Sequence, residues 1–275
     1  MIKDIVVSLA GRGQQDFAAD YAASVAGAVG AQITGIAFLY EPVIPDGTFG
    51  GVPVDLIELQ RQENSAAARG AVSQFEAAAK KAGVAAEVQT LDATFGGAAT
   101  LFASIARRFD LAIVGQSQRE HGATEELMIE GALFESGRPV ILVPYIQKRG
   151  LTLERVLACW DGSRTAARAI GDAMPFLERA KVVDLVTVTE ERKAEEPGGL
   201  SMSDHLARHG IKANVKRLTK GDLAIQDVIL SYAADSGADF MVMGGYGHSR
   251  LREFILGGVT RGILSEMTVP VLMSH

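Results

Sequence analysis

Between positions 244 and 260 the chain reads Gly-Gly-Tyr-Gly-His-Ser-Arg-Leu-Arg-Glu-Phe-Ile-Leu-Gly-Gly-Val-Thr, a G-x2-G-x9-G-G-V-T spacing. Gly244 and Gly247 carry no Cβ, so the backbone there can come close to a bound group and adopt positive φ. Gly257 and Gly258 stand before a helical stretch predicted from Val259 to Met267. The first N–H groups of a helix have no partner within it, which makes its start a seat for phosphate. His248, Ser249 and Arg250 add side-chain donors to the same loop. The spacing is neither a P-loop, which needs G-x4-GK[ST], nor a dinucleotide fingerprint.

A second polar group stands far away in sequence. Trp160-Asp161-Gly162-Ser163 follows the apolar run Arg155 to Cys159. Asp-Gly-Ser is also an ordinary turn and helix cap, and a glycine at a strand end is often only a turn. Order and spacing taken together favour a binding role.

The elements that must position these groups occur twice. The first half runs IVVSLAG, an Ala-rich helical stretch from Asp16 to Gly30, ITGIAFLY, a helix from Val54 to Ala82, AEVQTL, a helix around Ala98 to Arg108, DLAIVG, a short helix and RPVILVP. The second runs RVLACWDGS, a helix through Ala166 to Arg179, VVDLVTV, a short helix near Ser203 to His209, ANVKRL, a helix from Leu223 to Ser236, DFMVMGG, a helix and VPVLMSH. FDLAIVG and ADFMVMG, and likewise RPVILVP and VPVLMSH, hold matching places, which indicates a duplicated domain. Short, almost wholly apolar strands alternating with helices predict parallel strands covered on both faces. The fold class is therefore α/β, two tandem doubly wound domains of five strands each, over 1–147 and 151–275, with Lys148-Arg149-Gly150 as linker.

The glycine motif, Asp161 and the strand–helix order closely resemble the universal stress protein family and its ATP-binding motif G-x2-G-x9-G-[ST]. That resemblance implies an adenine nucleotide alpha hydrolase-like sheet of order 3-2-1-4-5, whose first and fourth strands flank a topological switch point where ligands sit. It implies ATP as the ligand; were ATP cleaved here, the assistance expected is electrostatic, from a metal ion such as magnesium on the phosphates. It also implies a binding set of Asp161 and Val188 near the adenosine, Met243 and Gly244 at the fourth strand, and Gly247, His248, Ser249, Arg250, Gly257, Gly258, Val259 and Thr260 along the phosphates. Gly258 departs from the family's Ser or Thr, so a hydroxyl donor is lost while the backbone N–H remains. By the same resemblance the halves imitate a homodimer, with apolar fifth strands, Val140 to Val143 and Val269 to Met273, pairing to hide their edges. A homodimer and a regulatory protein partner are further expectations.

The first half lacks the motif. Ser8-Leu9-Ala10 offers no carboxylate where Asp161 stands, and Gln118 replaces the second glycine. Aligned on Pro139 and Pro270, Glu126 and Leu127 replace Gly257 and Gly258, with Glu125 beside them. Carboxylates at a helix start repel phosphate. This half reads as a degenerate copy, and its Glu41 to Gly51 segment as a surface loop.

No nucleophile–base or acid–base constellation is present in the sequence pattern, so no catalytic residue is assigned. The leading expectation is a regulatory, stress-response ATP binder. A slow ATPase and a non-nucleotide protein-interaction scaffold remain alternatives. His205 and His209 lie four apart on a helix, but further zinc ligands are lacking, and a solvated face is the reading adopted; no metal site is assigned. The acidic run Glu190 to Glu196 reads as solvated charge. Net charge is −6, with −7 in residues 1–147 and +1 in 148–275, which disfavours nucleic acid as a partner. The lone cysteine, Cys159, fits a reducing compartment and reads as a small core residue. Without a long apolar segment no membrane partner is expected, and a cytoplasmic location is.

Overall fold

A computed structural model describes residues 1–10, 16–41, 53–116, 122–189, 200–245 and 258–275. Contacts divide the chain into two compact units, Ile2–Arg138 and Pro139–His275.

The first unit alternates strand and helix: β1 (Asp4–Ser8), α1 (Phe17–Val29), β2 (Gln32–Tyr40), α2 (Val54–Ala82), β3 (Ala86–Ala93), α3 (Phe95–Ala106), β4 (Leu111–Gly115) and α4 (Gly122–Glu135). Its strands are parallel in the order β3-β2-β1-β4. The apolar runs of β1 and β4 are buried, whereas β3 at the outer edge is largely exposed. That gradient is what helices on both faces of a parallel sheet impose.

The second unit opens with β5 (Val140–Val143) and continues through β6 (Arg155–Cys159), α5 (Arg164–Asp172), α6 (Met174–Leu177), β7 (Val182–Thr189), α7 (Met202–Arg208), β8 (Ala213–Thr219), α8 (Ile225–Ser236), β9 (Phe240–Gly244), α9 (Gly258–Glu266) and β10 (Val271–Ser274). Strands six to ten are parallel in the order β8-β7-β6-β9-β10, the 3-2-1-4-5 order expected. On the far side of β10, β5 pairs antiparallel, with Val271 opposite Leu142 and Met273 opposite Val140. The two apolar fifth strands thus cover each other's edges, as their composition demands.

Duplication is visible in single hydrogen bonds. Asp110, just before β4, accepts the backbone N–H groups of Lys3 and Asp4 at 2.7 and 3.2 Å. Asp239, just before β9, accepts those of Glu154 and Arg155 at 2.8 and 3.2 Å. Each fixes the entry of the first strand against the fourth, so both copies keep Asp at this place.

One helix departs from its predicted span. The stretch through Ala166 to Arg179 is split at Ala173 into α5 and α6, with Pro175 in the first turn of α6. A proline has no N–H to give and clashes with the preceding turn, so the chain restarts its helix there.

Candidate functional site

The site forms where the C-terminal ends of β7, β6 and β9 lie side by side. Ala158 on β6 is opposite Val242 on β9, and Cys159 is opposite Val186 on β7. The Trp160 N–H donates to the Val186 carbonyl at 2.8 Å, carrying the pairing one residue further. Val188, Asp161 and Gly244 consequently reach the same end of three consecutive strands. From there β6 connects toward β7 and β9 toward β10, in opposite directions. Right-handed crossovers then place α5 and α9 on opposite faces and leave a crevice between the two strand ends.

Asp161 is exposed and shapes the turn that follows it. Its Oδ1 accepts the Ser163 N–H at 2.9 Å, and Gly162 between them has φ of 79°, a value that favours glycine. Ser163 is the N-cap of α5, its Oγ accepting the Ala166 N–H at 3.1 Å and lying 3.1 Å from Thr165 Oγ1. Cys159 is half-buried. Burial, and then the Asp161 carboxylate, push its thiol up to about 12.

Gly244 closes β9 directly beneath the first turn of α5. A Cβ built on it would lie 2.5 Å from the Ala166 nitrogen and 2.7 Å from both the carbonyl carbon and Oγ1 of Thr165. Met243 beside it is buried in the core. The next residue, Gly245, continues the strand by donating its N–H to the Ser274 carbonyl at 2.9 Å. On α9, Gly258 faces open space, Val259 is half-buried and Thr260 is buried. Gly262 on the same helix lies against Gln226 of α8.

The structure therefore brings Asp161, Val188, Met243 and Gly244 to one end of the sheet and places Gly258, Val259 and Thr260 at the start of α9. Gly247, His248, Ser249, Arg250 and Gly257 lie outside the described residues, as do Gln118, the segment 42–52 and the acidic run Glu190 to Glu196. His205 on α7 and His209 at its C-cap stack edge to face with ring centroids 4.8 Å apart, both exposed. Among the described residues no group of three or more His, Cys, Asp or Glu side chains is placed to hold a metal ion.

The first unit holds different groups at the matching end. Aligned on Pro139 and Pro270, α4 begins five residues ahead of α9, so Glu125 and Glu126 lie within the helix and not just before it. A carboxylate that sequence reasoning passed over occupies the β1 end. Asp16, the N-cap of α1, is 4% exposed and accepts the N–H groups of Ala10 and Ala19, each at 3.0 Å. Its own N–H donates to Gln74 of α2 at 3.0 Å. Burial raises its carboxyl above the ordinary value, against those backbone hydrogen bonds. The signal was available, an Asp immediately before an Ala-rich helix, but it lies six residues beyond the position compared with Asp161. At the end of β2, Tyr40 stacks on Phe95 at 4.6 Å between centroids, with the rings 4° from parallel.

Comparison with known proteins agrees with this architecture. Residues 152–275 match the model of the universal stress protein family. A curated relative, universal stress protein Slr1230 of Synechocystis, is 26% identical over 178 residues, which span 60% of this chain and 57% of that protein. A universal stress protein from Archaeoglobus fulgidus superposes with a TM-score of 0.73 at 19% identity, covering 98% of this chain and 95% of its own. A functionally unknown protein from Pseudomonas aeruginosa superposes with a TM-score of 0.63 at 14% identity, over 99% and 92%. Residues 152–275 thus carry a universal stress protein domain, and the two halves together have the fold of the Archaeoglobus fulgidus universal stress protein. Among the described residues no helix is long and apolar enough to cross a membrane.

Proposed function

We propose that the second unit binds an adenine nucleotide, ATP with magnesium, as a regulatory ligand in a cytoplasmic stress-response role. The observation that carries this reading is the meeting of Asp161, Val188 and Gly244 at the C-terminal ends of three adjacent strands, at the switch point of the sheet. Asp161 offers a carboxylate to the ribose hydroxyls, and Val188 an apolar edge to the base. The first turn of α9 offers backbone N–H groups to phosphate, and Gly258 adds no side chain there. His248, Ser249 and Arg250 complete the donor set in the motif.

The first unit takes no part. Asp16 supplies its own anion to the β1–α1 junction, and Glu125 and Glu126 add negative charge in α4.

Titration calorimetry with magnesium ATP on the full chain is the test. One equivalent per chain is expected. Asp161→Ala should weaken binding about ten- to a hundredfold, the worth of one hydrogen bond to a charged group. Gly247→Val, which puts a branched side chain in the phosphate path, should abolish it. Gln118→Val in the first half should change nothing. Two sites per chain, or full affinity in Gly247→Val, overturns the reading. Sustained phosphate release above about 1 s⁻¹, lost in Gly247→Val, would make the protein an ATPase instead.

A further inference from the structure

The nucleotide reading assigns Gly244 a place beside the ligand, but its packing shows a different demand. Its missing Cβ would meet two backbone atoms of α5, the Ala166 nitrogen at 2.5 Å and the Thr165 carbonyl carbon at 2.7 Å. Backbone atoms in a helix cannot swing aside as the end of a long side chain can. Both residues are also buried, Ala166 at 2% and Thr165 at 4% exposure, so the helix has little room to shift. The first turn of α5 rests on β9 only because position 244 carries no side chain.

That same turn holds Asp161. The Ala166 N–H, the group nearest the missing Cβ, donates to Ser163 Oγ, and the Ser163 N–H donates to Asp161 Oδ1. A displacement of Ala166 therefore passes through two hydrogen bonds to the carboxylate. We propose that Gly244 is the positioning residue for Asp161, setting its place at the crevice through the first turn of α5. The inference rests on the nucleotide reading for its ligand, and on packing alone for its mechanism.

The first unit supplies the contrast. Gly115 ends β4 as Gly244 ends β9, yet among the described residues a Cβ there would meet only the Ala18 Cβ at 3.8 Å, an ordinary contact. The described neighbours leave room for a Cβ at 115 and none at 244, although the two positions match in the repeat.

The experiment compares Gly244→Ala with Gly115→Ala in the full chain, first without ligand. Gly244→Ala should move the amide resonances of Ser163 and Ala166, and Gly115→Ala should leave them in place. With magnesium ATP, Gly244→Ala should weaken binding at least about tenfold, and add little further loss in an Asp161→Ala background, because coupled residues are not additive. Ser163→Gly guards against misfolding of Gly244→Ala: it keeps the N–H to Asp161, removes the hydroxyl link and costs the fold little. It too should weaken binding. Unmoved amides in Gly244→Ala, additive losses, or full affinity in Ser163→Gly would overturn the proposal. If the wild type binds no nucleotide while the amides still move, the nucleotide reading fails and the link from Gly244 to Asp161 stands.

Discussion

Cys159 shows how one residue's setting decides its chemistry. It ends β6 beside the candidate site, a place where a reactive thiol would be useful. Burial and the neighbouring Asp161 carboxylate both disfavour the thiolate, and the thiol is pushed up to about 12. At pH 8 that leaves about one thiolate in 10,000, and the thiolate is the species that reacts. Iodoacetamide should therefore leave the native protein unmodified over an hour at pH 8 and label it fully in denaturant. Native labelling at the denatured rate would mean that the sulfur is open to solvent and ionises normally. The sequence reading of Cys159 as a small core residue rests on cysteine's habits, and the structure places it half-buried at the end of β6. The role of Gly244 could not be read that way. Its glycine is explained by the approach of Thr165 and Ala166, residues some eighty positions earlier, and no local pattern records that approach.

Elements were the most legible scale, because periodicity is a property of a segment. The span Val54 to Ala82 was readable to the residue from its Ala-rich helical spacing, with Gly83 closing it in a left-handed cap. The strand order followed from the family resemblance and not from spacing. What sequence left unread was how strands are tied to one another by buried charge. Asp184 on β7 is fully buried within an apolar-looking run, and accepts from Arg155 of β6 at 2.7 Å, Asn214 of β8 at 3.0 Å and Tyr232 of α8 at 3.1 Å. Burial alone would raise its carboxyl, but the hydrogen bonds from Asn214, Arg155 and Tyr232 outweigh it and hold the group below its ordinary value of 3.8. A depressed carboxyl stabilises the fold above its unfolded pKa, and that contribution is lost as pH falls through the folded pKa. Asp16 has the opposite sign: its raised carboxyl favours the fold at low pH, and that contribution is lost as pH rises through its folded pKa. Asp184→Asn should therefore cost about 2–3 kcal/mol at pH 7, since it leaves Arg155 without its carboxylate. Arg155 keeps some solvent access, its side chain being 32% exposed, which holds the cost below that of a wholly enclosed pair. Urea unfolding at pH 7 and near pH 3 checks this, the gap between wild type and variant narrowing as pH falls below 3.8. An equal gap at both would show that the lost contribution is packing and not charge.

At the scale of the molecule, the division of the chain decides which strand edges meet water. Sequence places the linker at Lys148-Arg149-Gly150, where polar residues separate the two repeats. Contacts instead group everything from Pro139 onward with the second unit, because β5 lies along β10. The difference has a physical cause: repeats divide a chain by ancestry, whereas strand pairing divides it by hydrogen bonds. Val271, Leu272 and Met273 on β10 are fully buried, with β9 on one side and β5 on the other. A fragment starting at Pro139 keeps both neighbours of β10 and should be stably folded. A fragment starting at Leu151 loses β5 and exposes an apolar strand edge, which invites pairing with another strand. The antiparallel sense of the lost pairing suits a two-fold arrangement, in which β10 of one copy takes the place of β5 for another. Sedimentation should give a dimer for the shorter fragment, and urea unfolding at equal concentration should find it less stable than the longer one. Lys in place of Leu272 should drive the shorter fragment to unfold or aggregate and not to dissociate cleanly, because that side chain is core on the sheet's face as well as close to its edge. A shorter fragment that stays monomeric and as stable as the longer one would show that β5 contributes nothing to the second unit, and the boundary would return to the linker that the sequence marks.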